Sequence, residues 1–121
     1  MTKTTSYEIS KKLKEAGFKA ETNFYWYCYD NGREMRHIAD ADGKGDVEAY
    51  DLETLLDALP DFIANKNKGE NCLVIDVAFG EIHYEGDSDN DTMFITTMEE
   101  NESLADVAGK MWLMLKEKGI V

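Results

Sequence analysis

The sequence predicts an α+β fold: a single two-layer domain over residues 1–121, with a mainly antiparallel sheet and about three helices packed on one face. Three observations carry that expectation. Helical apolar spacing recurs in three stretches, strand-like alternation and aromatic runs fill the intervals, and an Asn-Gly dipeptide joins two extended runs. The order helix, hairpin, helix, three strands, helix then packs most simply as a sheet with helices gathered on it.

Thr5 and Glu8 form a capping box, after which Ile9, Leu13 and Ala16 make a narrow apolar face among Lys11, Lys12, Lys14 and Glu15. Gly17 closes this helix and Phe18 packs back. In the next run, Phe24, Tyr25, Trp26, Tyr27 and Tyr29 supply five aromatics in six residues, a composition that favours a strand. Asn31-Gly32 is a two-residue hairpin signal, with residues 33–39 as the return strand. The implied register sets Phe24 opposite Ala39 and Trp26 opposite His37. Phe24, Trp26, Cys28, Met35, His37 and Ala39 then share the face expected to meet the core. Tyr25, Tyr27, Tyr29, Glu34, Arg36 and Ile38 share the other. His37 reads as a packed histidine rather than a catalytic one, since no nucleophile pattern accompanies it. The tyrosine face with Arg36 could stack bases, but the charge of the chain opposes that.

Residues 40–51 read Asp-Ala-Asp-Gly-Lys-Gly-Asp-Val-Glu-Ala-Tyr-Asp and invite comparison with the twelve-residue calcium loop of EF-hands. Asp40, Asp42, Asp46, Glu48 and Asp51 are the candidate metal ligands. Lys44 stands where an oxygen ligand is wanted, and Asp51 where a bidentate Glu is usual. An acidic turn that caps the next helix accounts equally for the same residues. Asp51 then opens a helix with Leu52, Leu55, Leu56 and Leu59 on one face. Pro60 stops it, and Phe62 and Ile63 are expected to add one further turn of apolar cover.

Residues 72–77 are nearly all apolar and read as a central strand. Gly80 marks a turn, and the next run alternates so that Glu81, His83 and Glu85 face away from Ile82 and Tyr84. Carboxylate, imidazole and carboxylate on one face could hold a transition metal, but no fourth ligand accompanies them, so a solvated polar face is the expectation. Asp87, Asp89 and Asp91 alternate in a second acidic loop, in which Thr92 replaces the Gly of a calcium loop. Residues 92–97 are the last strand. In the closing helix Leu104, Ala108, Met111 and Leu115 fall on one line. Ala105 and Trp112 flank it on one side, Val107 and Met114 on the other, and only Leu113 points away. Asn101 or Ser103 starts this helix, Glu102 and Asp106 oppose its positive end, Lys116 and Lys118 its negative end, and Gly119 closes it. A Trp and Met row could line a ligand groove, but a helix laid on a sheet is the stronger reading.

Against 13 Lys and Arg the chain carries 25 Asp and Glu, a net charge of −12. The excess is uneven. Residues 1–20 hold five Lys and two Glu, while 40–61 hold eight acids and one Lys, and 81–102 hold eight acids with no Lys or Arg. Such a field repels phosphate backbones and attracts cations or basic surfaces, so direct nucleic-acid binding is not expected. The polar amino-terminal stretch lacks a signal-peptide core and no apolar run spans a bilayer, which predicts a soluble, cytoplasmic protein. Cys28 and Cys72 are expected as reduced, half-buried thiols.

Four blocks carry a resemblance: Glu8-Ile-Ser-Lys-Lys-Leu-Lys-Glu-Ala-Gly-Phe18, the Phe24-Tyr25-Trp26 cluster, Thr54-Leu-Leu-Asp-Ala-Leu-Pro60, and Asn101-Glu-Ser-Leu-Ala-Asp-Val-Ala-Gly-Lys-Met-Trp112 with its Lys-Gly end. Together they resemble a group of short uncharacterised phage and prophage proteins, over about half of the chain. The resemblance implies an origin in mobile DNA and brings no catalytic or binding residues with it. With no phosphate loop, nucleophile elbow or paired metal motif, the sequence points away from an enzyme and from any cofactor. A protein-interaction module that uses the tyrosine face or an exposed helix edge, to bind a partner or to self-associate, is the first expectation. An acidic decoy for a basic host enzyme is the second, and a calcium-binding domain the third.

Overall fold

A computed structural model of the chain describes residues 4–29, 32–37, 47–64, 69–86 and 92–121. The elements are α1 (Tyr7–Glu15), β1 (Phe24–Tyr29), β2 (Gly32–His37), β3 (Val47–Ala49), α2 (Leu52–Ala58), β4 (Phe62–Ala64), β5 (Glu70–Asp76), β6 (Glu81–Glu85), β7 (Met93–Thr97) and α3 (Leu104–Glu117). The α+β class stands, with three helices among the described residues, but the strands divide into two antiparallel sheets. One has the order β2-β1-β3 and the other β4-β5-β6-β7.

The closing helix is the centre of the packing. It touches α1, α2, β6 and β7. Ala105, Val107, Ala108, Met111, Trp112 and Leu115 are all buried, the stripe the spacing predicts. Ser103 caps it and Asp106 completes a capping box. Asp106, itself buried, also accepts from the Ser6 amide at 2.6 Å, so one carboxylate caps α3 and holds the start of α1. α1 crosses α3 closely enough that a Cβ built on Gly109 would sit 2.7 Å from Ile9 Cγ2. Phe18 stacks edge-on against Trp112 and Tyr50, with ring centroids at 4.9 and 4.7 Å. α1 also packs on β3, and Tyr50, the residue that follows β3, belongs to the same core.

Several expectations change. α1 is capped by Ser6, not Thr5. Thr5 is drawn into tertiary bonding instead: its amide donates to Tyr50 O, its carbonyl accepts from Trp26 Nε1, and its hydroxyl meets Ser10. Glu8, freed from capping, pairs with Arg33 at 2.8 Å. Tyr29 opposes Gly32, so Phe24 opposes His37 and Trp26 opposes Met35, two residues from the predicted register. A shift of an even number of residues does not exchange the two faces. β3 pairs with the other edge of β1, which makes β1 a middle strand. Tyr25, placed on the outer face by the sequence, is therefore flanked on both sides and only 1% exposed. Trp26 is half-buried on the opposite face, where its partner Val47 is buried. The side chain of His37 lies outside the described residues.

The further turn expected after Pro60 is strand β4. Leu59, in extended backbone as a residue before proline favours, turns the chain away from helix. Phe62 and Ile63 then alternate, exposed and buried, at the edge of the second sheet. β5 is interior in that sheet, as predicted, yet only Asn71 along it is buried. Cys72 is exposed rather than half-buried, and both cysteines are free thiols.

A candidate docking surface on the four-stranded sheet

Register decides which side chains of the second sheet meet the helices. Ile63, Asn71, Leu73, Ile82 and Tyr84 share the core face. Phe62, Cys72, Val74 and His83 point the other way. On that outer face Phe62 is 59% exposed, and Ile95 of β7 is 51% exposed. The same face carries the Glu81, His83 and Glu85 triplet, open to solvent at Glu85 as expected but closed at its histidine. His83 is 7% exposed. Its Nδ1 lies 2.7 Å from Glu81 Oε2 and its Nε2 3.3 Å from Glu85 Oε1. The Glu81 oxygen lies out of line for a hydrogen bond, so Nδ1 has a close charge neighbour but an unsatisfied direction. Among the described residues no group of three or more His, Cys, Asp or Glu is placed to hold a metal ion.

The candidate metal loop divides. Asp40, Asp42 and Asp46 lie outside the described residues, as do Asp87, Asp89 and Asp91. Glu48 accepts from the Tyr50 hydroxyl at 3.0 Å, and Asp51 Oδ1 accepts from the Thr54 amide at 2.9 Å as the N-cap of α2. That contact, with burial foremost, pushes the Tyr50 hydroxyl far above the usual tyrosine range. Burial, and then the charge of Asp61, raises Tyr84 to about 12, and its hydroxyl donates to Pro60 O at 2.7 Å.

Among the described residues the two most exposed large apolar side chains lie at one end of the sheet. β5 leads into the turn of residues 77–80, β6 returns from it, and the chain leaving β7 arrives beside it: the Met98 amide donates to Gly80 O at 2.8 Å. The turn is built by Asp76, whose Oδ1 accepts from the Phe79 amide at 3.2 Å, and by Gly80, whose φ of 62° an L side chain rarely adopts. A Cβ on Gly80 would lie 2.8 Å from Met98 Cβ, so Met98 is lodged against the turn. Neither device needs Val77 or Phe79. Yet Val77 is 71% and Phe79 79% exposed, beside Ile75 and Met98, which are also exposed. Solvated turns are ordinarily polar, and adjoining exposed apolar side chains mark interaction sites.

The sequence missed this surface because it read residues 72–77 as one central strand, with Val77 inside it. The signal was available: Asp76 followed four residues later by Gly80 is turn chemistry around two apolar side chains. The tyrosine face it favoured is closed at Tyr25. Neighbouring β7 is interrupted as a template for strand addition, because an extra residue bulges opposite Ile82 and Tyr84, with Phe94 at φ 52°. Comparison with protein families, with curated proteins and with solved structures gave no match. No helix among the described residues is long and apolar enough to cross a membrane.

Proposed function

We propose that the protein is a non-enzymatic interaction module of phage or prophage type, acting in the cytoplasm, that docks a protein partner on the turn end of its four-stranded sheet. The observation that carries the reading is the exposure of Val77 and Phe79, 71% and 79%, on a turn whose geometry requires neither. Apolar side chains held out on a well-anchored turn are the kind of anchor that dominates binding energy at interfaces. The test is affinity capture from prophage-bearing bacterial lysate with the native chain and with a Val77→Ser/Phe79→Ser variant. A protein retained by the first and lost by the second supports docking; identical recoveries defeat it.

The second reading, an acidic decoy for a basic host enzyme, is favoured by a separate feature: no Lys or Arg occurs between Lys68 and Lys110. A decoy would bind through its carboxylate field alone. Its complex would be competed by DNA and would survive loss of Val77 and Phe79.

A further inference from the structure

Charge narrows the partner of this surface. Resting on the docking reading above, we propose that the occupant is a protein segment combining an apolar anchor with lysine or arginine side chains. The anchor seats on Val77, Phe79 and Met98, and the cations meet Asp76, Glu99 and Glu100. Glu99 and Glu100 are exposed on the segment after Met98, and Asp76 flanks the turn from the other side. All of β5, β6 and β7 lie in the stretch without Lys or Arg, so these strands supply no cation to neutralise the rim. Lys110, at the end of that stretch, is already engaged: its Nζ donates to Thr97 O at 2.7 Å and to Glu102 Oε1 at 2.6 Å. It therefore offsets Glu102 and leaves the other two glutamates as they are.

Three other occupants fit less well. A second copy would meet this lip with the same anionic rim, and each chain carries −12. A neutral apolar segment would strip water from the carboxylates without replacing it by charge. Nucleic acid is repelled outright. A cationic amphipathic segment satisfies both features at once, the anchor through apolar contact and the rim through steering and pairing.

Fluorescence anisotropy with labelled synthetic peptides of equal length tests this on the full chain. The probes are a Phe/Leu peptide interspersed with Lys, the same peptide with Gln for every Lys, and a Gly/Lys peptide without apolar residues. The Lys amphipath is expected to bind, about tenfold or more tighter than its Gln counterpart, and to weaken about tenfold between low and high salt. Val77→Ser/Phe79→Ser is expected to cost at least about tenfold, and Glu99→Gln/Glu100→Gln severalfold. All four positions are exposed or half-exposed at the surface, and thermal melts of both variants verify folding. The proposal is overturned if no peptide binds at millimolar concentration, or if the Gly/Lys peptide binds as well as the amphipath and ignores the Val77/Phe79 change. A dimer in sedimentation that the same change dissolves also overturns it, in favour of a second copy. If the Gln amphipath binds as tightly as the Lys one, but still through Val77 and Phe79, the cationic assignment fails while docking stands. If lysate capture is unaffected by the variant, docking itself has failed.

Discussion

Adding one methyl group at Gly109 tests the packing of α1 on α3. In an ordinary exposed helix interior, Gly→Ala stabilises by about 1 kcal/mol, because alanine loses less backbone freedom on folding. Here the new Cβ would lie 2.7 Å from Ile9 Cγ2, with Leu13 Cδ1 and Thr5 Cγ2 each at 3.5 Å. The obstructing atom is a β-branch methyl, which moves only if its rotamer or α1 itself moves. Overpacking of this kind costs about 1–3 kcal/mol. The cost outweighs the propensity gain, and Gly109→Ala is expected to destabilise by about 1 kcal/mol net. Ile9→Leu removes the offending methyl while conserving volume, at less than about 1.5 kcal/mol alone. In that background Gly109→Ala should regain its ordinary stabilising effect, giving a favourable coupling of about 2 kcal/mol across the double-mutant cycle. Urea unfolding of the four chains, followed by circular dichroism, provides the numbers. If Gly109→Ala stabilises the native background as well, α1 does not cross α3 there and the reasoning is refuted.

Other consequences follow from single groups. Asp106→Ala removes one half of the capping box of α3, the acceptor for the Ser103 amide, together with the acceptor for the Ser6 amide, and should cost about 3 kcal/mol by urea unfolding; a loss below about 1 kcal/mol would mean the two helix starts are not joined there. Tyr84, raised to about 12, stays protonated when folded, while the unfolded chain ionises near 10. The unfolded state then holds fewer protons, so this group's stabilisation is complete below pH 10 and falls by about 2 kcal/mol by pH 12. Tyr84→Phe should flatten that part of the stability profile, and an unchanged profile would contradict the assignment. The Tyr25 hydroxyl is buried with no hydrogen-bond partner among the described residues, so Tyr25→Phe should be neutral or stabilise by about 1 kcal/mol; a loss above that in thermal or urea unfolding would reveal a partner.

Where local spacing and core agree, the sequence is readable. The stripe of α3, its closing Gly119 and the Asp51 cap of α2 follow from periodicity and turn chemistry, and the packing reinforces each. Legibility fails where a choice is settled by distant chain. Ser6 displaces Thr5 as cap because Thr5 is needed 45 residues away at Tyr50. Two sheets replace one because β3, only three residues long, takes the free edge of β1, and no three-residue window announces a strand. The docking lip was hidden by a hydrophobic run that looks alike whether its end is buried or exposed; only the placement of Asp76 and Gly80 separates the cases.

A photocrosslinker in place of Phe79 is the most direct test that the turn end of the four-stranded sheet is a docking surface. Phe79→p-benzoylphenylalanine keeps an exposed aromatic where one already stands, and the same group at Lys118, exposed beyond α3, is the control. Irradiation in prophage-bearing lysate is expected to join position 79 to one predominant protein that position 118 does not capture. An equal, diffuse pattern from both positions would contradict the account.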